Sequence, residues 1–200
     1  TVRLTNHPAF DGYPAWSPDS RRIAFASARA AYAPAGIDSA ELAAIEAATV
    51  QPGRAPNFDH QLFVVDADGQ RLTRLTNSPS FDTEPAWSPD GSYIAFASNR
   101  SGPSDIWIMR SAGTDLINLT RSPSRDTAPS FSPDGSHIAY ASDAFGQTDI
   151  WIMRADGSQR RAIYPSPGRD MTPTWMPAAG FSTRARCLLC PRQEIGRAHV

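Results

Sequence analysis

The sequence has no long hydrophobic run and no excess of one charge. A helix that crosses a lipid bilayer needs about 20 apolar residues in succession, and no apolar stretch in this 200-residue chain approaches that length. Basic and acidic residues number 19 and 20, and the basic residues do not cluster. We therefore expect no membrane insertion within the chain and no nucleic-acid partner.

Signatures of catalysis are also missing. The sequence contains no G-x-S-x-G motif, no phosphate-binding glycine loop and no paired carboxylates that stand apart from its repeats. The histidines lack the spacing of metal ligands, being scattered at His7, His60, His137 and His199. We expect a chain without catalytic residues, metal or cofactor.

Cysteine is nearly absent. The pair Cys187 and Cys190 could bind a metal or cycle between redox states, but no second pair accompanies it, and we expect it to be inert. The last residues, EIGRAHV, look like the translation of a sequencing-library adapter, so residues 178–200 are expected to be an artefactual, non-homologous tail. Because the chain starts at Thr1 and not at Met, we also expect a removed leader or a missing start.

Repetition is the main feature that is present. The string EPAWSPDGSYIAFASNR, at residues 84–100, returns as APSFSPDGSHIAYASDA at 128–144. An upstream copy, YPAWSPDSRRIAFASAR, occupies residues 13–29, and a fourth copy begins as TPTWMP at Thr172 before the pattern disappears. A single catalytic site does not need several copies of one string, whereas a repeat architecture does.

The period of the repeat identifies the architecture. The equivalent residues Trp87, Phe131 and Trp175 are each 44 residues apart. Trp16 lies 71 residues before Trp87, so the first unit carries 27 additional residues. A period of about 40–45 residues is typical of four-stranded propeller blades.

Each unit reads as four strands. In the second unit they are predicted at Pro85–Ser88, Ile94–Ser98, Asp105–Arg110 and Leu116–Thr120, all rich in β-branched or aromatic residues and bounded by turn residues. The S-P-D-G segment predicts a tight turn between the first two strands.

The string DIWIM indicates what the sheets contact. Its alternate residues point to opposite faces, and both sets are apolar, so the strand is expected to be covered on both sides. Blades packed face to face would supply that cover. We therefore predict that the aromatic residues at repeated positions belong to the core, namely Trp16, Trp87, Phe131, Trp175, Trp107 and Trp151.

The ordered set W-S-P-D-G, I-A-F-A-S, D-I-W-I-M, A-D-G and L-T resembles the TolB-like, WD-repeat-like family of β-propellers over residues 1 to about 177. The resemblance implies an all-β fold of four-stranded antiparallel blades. The sequence departs from the family pattern at Ser20, Phe131 and Met176.

Such propellers have about four to eight blades, so we read the chain as a fragment, an incomplete arc of about three blades plus part of a fourth, with the total blade number open. The predicted units are a blade at 13–76 with a helical insertion at 30–58, blades at 84–120 and 128–164, and the start of another at 172–177.

Strand direction alternates within a blade, so the longer loops gather on one rim and the tight turns on the other. Irregular loops on a rigid scaffold commonly carry recognition, and the insertion falls on that loop-rich rim. Its predicted helix, Asp38–Ala48, either packs on the rim, which we favour, or covers the central opening or binds a partner.

Repeated charged residues on this rim are the candidate binding residues. The four aspartates precede the first strand of each unit and form either a carboxylate ring that attracts a cation or basic peptide, or local turn contacts. Two arginines at another repeated position are expected to pair with them, which favours the local role. The set is Asp11, Asp82, Asp126, Asp170, Arg29 and Arg100.

The resemblance implies a non-catalytic scaffold that binds a protein or peptide through the loop-rich rim. In that family the propeller takes part in a bacterial cell-envelope complex with a peptidoglycan-associated lipoprotein, which implies a periplasmic or extracellular location. Two alternatives stay open: a propeller that gates the hydrolase domain of a prolyl-oligopeptidase-like peptidase, and an extracytoplasmic sensor domain.

Overall fold

A computed structural model describes residues 3–5, 9–29, 60–163 and 168–175. Every regular element of these residues longer than one residue is a β-strand. The strands are β1 Asp11–Trp16, β2 Arg22–Ser27, β3 Gln61–Asp66, β4 Thr73–Arg74, β5 Asp82–Trp87, β6 Tyr93–Ser98, β7 Asp105–Arg110, β8 Ile117–Asn118, β9 Asp126–Phe131, β10 His137–Ser142, β11 Asp149–Arg154 and β12 Arg161–Ala162. The predicted helix Asp38–Ala48, the cysteine pair and the tail lie outside the described residues.

The strands form three separate sheets of four, each in simple antiparallel order, β1 to β4, β5 to β8 and β9 to β12. This confirms the predicted fold class, an all-β propeller arc with one sheet per blade. We call the sheets blade 1, blade 2 and blade 3. The additional residues of the first unit lie between β2 and β3.

The first strand of each blade begins earlier than predicted. In blade 2 it starts at Asp82 and not at Pro85, because Asp82 and Thr83 pair with Ser98 and Ala97. A shift in register between Thr83 and Ala86 then accommodates the proline as a β-bulge. The repeated aspartate is therefore the first residue of the strand and not a loop residue.

The fourth strand is shorter than predicted, with only Ile117–Asn118 in place of Leu116–Thr120. The backbone N–H of Leu119 still donates to the carbonyl of Ile106 at 2.8 Å. The N–H of Ile106 donates in turn to the Thr120 hydroxyl at 3.0 Å, so a side chain replaces the backbone at the end of the ladder.

Neighbouring blades pack face to face, with β1 beside β5 and β5 beside β9. The indole N–H of Trp87 donates to the carbonyl of Ala15 in the preceding blade at 3.1 Å. Trp175 makes the same bond to Ser130 at 2.9 Å. A tryptophan at this position thus joins its own strand to the adjacent blade.

The core confirms that β7 is covered on both faces. Met109 lies in a buried cluster with residues of blade 1, whereas Ile106 and Ile108 lie in a second cluster with Tyr140 and Met153 of blade 3. A sheet that presents apolar residues on both faces gains their burial only when both neighbours are in place.

The aromatic residues predicted for the core differ in burial. Trp87 is 8% exposed, and Trp107, Phe131, Trp151 and Trp175 are half-buried. Trp16 contradicts its prediction as a core residue because it is 56% exposed. Trp87 and Trp175 contact the blade that precedes them, and for Trp16 no described residue forms such a blade.

The tight-turn rim repeats one arrangement in each blade. In blade 2 the Ser88 hydroxyl donates to Asp90 at 2.5 Å, and Gly91 follows with φ +72°. In blade 1, Ser20 takes the place of this glycine and adopts φ +58°, so the turn survives the substitution. Gly113, in the outer turn of blade 2, has φ +85°, and a Cβ there would lie 2.8 Å from the Leu75 carbonyl of blade 1.

Trp87→Ala and Trp16→Ala form a matched pair, because the two residues are equivalent in sequence but differ in burial. We expect Trp87→Ala to lower the free energy of unfolding by about 3–5 kcal/mol. Trp16→Ala should lower it by less than about 1 kcal/mol, because more than half of this side chain already contacts solvent. Urea unfolding followed by circular dichroism measures both, and equal losses would contradict the packing described above.

Candidate functional site

The aspartates predicted for the loop-rich rim lie at equivalent places in the fold. Asp11, Asp82 and Asp126 each begin the first strand of their blade. The backbone N–H of Asp82 donates to His60 of blade 1, and that of Asp126 to Ser104 of blade 2. Asp170 donates in the same way to Thr148 of blade 3, so this position links consecutive blades.

In blade 2 the carboxylate of Asp82 is fully engaged. It is 0% exposed and accepts hydrogen bonds from the Ser98 hydroxyl at 2.6 Å and from Arg100 at 2.7 Å. The Ser80 and Ser78 hydroxyls each add a bond of 3.2 Å. Both carboxylate oxygens therefore have protein partners, as expected for a buried charge.

Arg100 is held by more than its ion pair. Its Nε donates to Ser98 at 2.9 Å, and its guanidinium carbon lies 4.8 Å from the centre of the Trp107 ring. In blade 1, Arg29 is 5% exposed, pairs with Asp11, and lies over Phe25. Both candidate arginines therefore lie between a carboxylate and aromatic rings, Arg29 buried and Arg100 half-buried.

Blade 3 departs from this arrangement. Ala144 stands at the arginine position, two residues after Ser142. Asp126 is 2% exposed, and its Oδ1 has no hydrogen-bond partner among the described residues. Burial raises the pKa of the Asp126 carboxyl to about 6, and Asp105 adds to this increase, while Arg160 and the hydroxyls of Ser142 and Thr120 oppose it.

A groove of about 740 Å³ opens on the loop-rich rim and is lined by aromatic and charged side chains. The first strands of the blades and the loops between β6 and β7 form its walls. Its lining residues are Phe10, Tyr13, His60, Phe81, Thr83, Glu84, Asn99, Gly102, Pro103, Ser104, Arg125 and Thr127.

One end of the groove is a cluster of rings. The Phe10 ring lies 6.1 Å from Tyr13 and 5.1 Å from His60, and His60 lies 5.3 Å from Phe81, measured between ring centres. Phe10, Tyr13 and Phe81 are 51%, 48% and 40% exposed. Large aromatic side chains exposed together commonly mark a binding surface.

Tyr13 and Glu84 reach the groove from strained backbone positions. Both lie at the bulge of the first strand, with φ values of 54° and 55°, and the equivalent Ala128 and Thr172 have 52° and 54°. A positive φ is unfavourable for residues other than glycine, so the bulge is built into every copy. Glu84 also accepts a hydrogen bond from the N–H of Ala128 at 2.7 Å, which joins blade 2 to blade 3.

The sequence reasoning did not identify the ring cluster. A signal for it exists, because Phe10 and Phe81 each directly precede the repeated aspartate, where the next two copies have Arg125 and Arg169. The aspartates are strictly equivalent between copies, whereas the residue before each of them varies. The variable neighbour, and not the repeated aspartate, lines the groove.

Within 3–5, 9–29, 60–163 and 168–175, no group of three or more His, Cys, Asp or Glu side chains could hold a metal ion. The same ranges contain no helix of the length and apolar character that a membrane crossing requires.

A known protein family matches this chain. The family described as the TolB beta propeller domain matches residues 54–116 and 100–183, which together exceed half of the chain. The chain belongs to the TolB β-propeller domain family. This family match includes all of blades 2 and 3 and the strands β3 and β4 of blade 1.

Two curated relatives of this TolB-type propeller are Tol-Pal system proteins TolB. The one from Syntrophus aciditrophicus is 42% identical over 60 residues, which cover 30% of this chain and 13% of that protein. The one from Bordetella pertussis is 32% identical over 112 residues, which cover 47% of this chain and 26% of that protein. The matched segments thus span about a quarter or less of those relatives.

Solved structures resemble the propeller in fold. TolB from Acinetobacter baumannii superimposes with a TM-score of 0.63 at 14% identity, over 92% of this chain and 41% of that one. A puromycin hydrolase superimposes with a TM-score of 0.60 at 16% identity, over 86% of this chain and 24% of that one. At such identities the likeness concerns the fold alone.

The raised pKa of Asp126 leads to a pH-dependence prediction. An acid with a higher pKa in the folded state stabilises the fold at low pH, and the stabilisation is lost as the pH rises through the folded value, here about 6. From pH 5 to pH 7 we expect the free energy of unfolding to fall by about 1 kcal/mol relative to Asp126→Asn, whose side chain stays neutral. Urea unfolding at both pH values tests this, and parallel profiles for the two proteins would contradict it.

Proposed function

We propose that this chain is a non-catalytic protein-binding scaffold, a TolB-like propeller segment that binds a protein or peptide partner through the groove on its loop-rich rim. The single observation that carries the proposal is the exposed ring cluster of Phe10, Tyr13 and Phe81 around His60. Aromatic side chains grouped in a concave, partly desolvated surface are the residues that contribute most to protein–protein affinity.

The groove suits an extended segment of polypeptide. Its volume of about 740 Å³ is sufficient for several side chains. Glu84 and Arg125 place one charge of each sign among its lining residues, so polar groups of a peptide backbone or side chain have partners. The buried pairs of Asp82 with Arg100 and Asp11 with Arg29 lie on the same rim and support its loops.

The names of the relatives support a cell-envelope role for this binding function. Both curated relatives described above are named Tol-Pal system proteins. We propose that the chain belongs to a bacterial periplasmic or secreted protein and that its partner is a component of such a system.

A second candidate function is the gating propeller of a prolyl-oligopeptidase-like peptidase. The observation that favours it is the fold likeness to puromycin hydrolase. In this case the groove would face a hydrolase domain and not a separate partner. The two candidates differ in whether the groove binds free peptide with an affinity that depends on its aromatic residues.

Groove variants provide the test of peptide binding. Peptides selected against the chain from a random phage-displayed library should bind with micromolar affinity, and Phe81→Ala should weaken them at least about tenfold, because aromatic anchors in an interface contribute about 2 kcal/mol or more. Isothermal titration calorimetry measures the affinities.

Ile117→Ala is the control, because Ile117 is as exposed as Phe10, at 51%, but lies on the outer strand β8. We expect this variant to bind the selected peptides like the wild type. Peptides that bind Phe81→Ala and Phe10→Ala with unchanged affinity would refute the assignment of the groove, and a library that yields no binder would do the same.

The chain should show no hydrolysis of peptide p-nitroanilides or p-nitrophenyl esters above the buffer rate. The reason is the lack of a G-x-S-x-G nucleophile motif and of a metal-ligand group among the described residues. Release of p-nitrophenol or p-nitroaniline, followed by absorbance, measures this. Turnover that one substitution within residues 1–177 abolishes would show that the chain is itself an enzyme.

A further inference from the structure

Blades 1 and 2 each contain an internal binding site for their own arginine. In blade 2 the guanidinium of Arg100 donates through Nη2 to Asp82 at 2.7 Å and through Nε to the Ser98 hydroxyl at 2.9 Å. Blade 1 repeats the set, with an Nε bond of 3.0 Å to the serine, in Arg29, Asp11 and Ser27.

Aromatic rings complete this site. The guanidinium carbon of Arg100 lies 4.8 Å from the centre of Trp107 and 5.4 Å from that of Phe96. These two rings are paired neighbours on β6 and β7. In blade 1, Arg29 lies over the corresponding pair, Phe25 and Phe63, at 5.5 and 5.7 Å. The planar guanidinium thus stacks on the rings while its edge bonds the carboxylate.

Blade 3 has the equivalent aspartate, serine and aromatic pair but lacks the arginine. Asp126 and Ser142 pair at the start of β9 and the end of β10, and Tyr140 pairs with Trp151 in the register of the two rings. Ala144 occupies the position of Arg100. Asp126 is 2% exposed, and one of its carboxylate oxygens lacks any hydrogen-bond partner among the described residues. A buried carboxylate in this state is unfavourable, and an added cation would compensate it.

The nearby arginine does not fill this place. Arg160 donates to the backbone carbonyl of Thr120 and acts on Asp126 only as a neighbouring charge. Phe145, next to Ala144, lies against Trp151 instead. The centre of the Phe145 ring lies 5.2 Å from that of Trp151. In blade 2 the equivalent ring, Trp107, is contacted by the Arg100 guanidinium. Phe145 is 62% exposed, so it can leave Trp151 at low cost.

We propose that blade 3 binds an arginine side chain of a partner protein, which replaces Phe145 on Trp151 and bonds Asp126 and Ser142 as Arg100 bonds Asp82 and Ser98. The site contains the buried carboxyl of Asp126 and is formed by the same strand pairing that holds Arg29 in blade 1 and Arg100 in blade 2. None of its residues lines the groove, so the inference does not rest on the proposed function.

Arginine fits this site better than lysine does. The guanidinium presents several N–H groups in a fixed plane and stacks on aromatic faces, whereas an ammonium group is a compact, strongly hydrated point charge. The bonds from Nη2 and Nε of Arg100 go to two different acceptors, which one ammonium on a flexible stem reproduces poorly. Discrimination between the two cations is therefore part of the proposal.

The test is a titration of the chain with N-acetyl-arginine amide, observed at the indole N–H resonance of Trp151 in a proton–nitrogen correlation spectrum. That resonance is assigned by its disappearance in Trp151→Phe. We expect a saturable shift with a dissociation constant in the millimolar range, as is usual for a single side chain. N-acetyl-lysine amide should give no saturable shift at the same concentrations.

Ala144→Arg is the central variant, because it supplies the missing guanidinium from within the chain. It should abolish the shift and raise the melting temperature. Phe145→Ala should tighten arginine binding severalfold by exposing Trp151, and Asp126→Asn should weaken it at least about tenfold.

Three results would overturn the proposal. They are no saturable shift in the wild type, an equal shift with the lysine compound, and an undiminished shift in a folded Ala144→Arg. Ala144→Arg keeps the proposal testable if Asp126→Asn fails to fold. Peptide binding at the groove is measured separately through Phe81, so failure of one site leaves the other interpretable.

Discussion

Face-to-face packing of sheets that are apolar on both sides is the constraint on which the rest of this structure depends. β7 presents Met109 to blade 1 and Ile106 to blade 3, so neither face is free for solvent. Each blade therefore requires its neighbours, and the hydrophobic gain is shared between units and not contained in one. The exposed Trp16 shows the converse, because no described residue forms a blade before it and its side chain is 56% exposed, against 8% for Trp87.

Polar groups at the loop-rich rim follow from that core. Strands that meet an apolar neighbour on both faces can place charges only at their ends, and there the carboxylates are buried as well. Asp82 is compensated by Arg100, whose guanidinium in turn lies on aromatic rings. Ion pair and ring stacking act together, since the rings remove water from the pair and the pair gives the arginine a fixed orientation.

The repeat period, the sheet order and the antiparallel blades could be predicted from sequence because they depend on patterns that recur. Strand limits were less predictable: Pro85 suggested a strand start, whereas the bulge lets β5 begin at Asp82. The burial of Trp16 could not be read from its motif, since burial depends on a neighbouring sheet. The groove escaped prediction because Phe10 and Phe81 come together only when blades 1 and 2 pack, although each precedes a repeated aspartate.

Differences between copies carry more functional information than their identities do. The bulge keeps one backbone conformation in every copy, yet its side chain changes from Tyr13 to Glu84 to Ala128, so the fold does not dictate the residue. The same reasoning applies to the position of Arg29 and Arg100, where blade 3 has Ala144 and so lacks a guanidinium of its own. The copies of a repeat can thus be compared with one another. The arginine that is present in blades 1 and 2 and replaced by Ala144 in blade 3 indicates the shape and the charge of the group that we propose blade 3 binds.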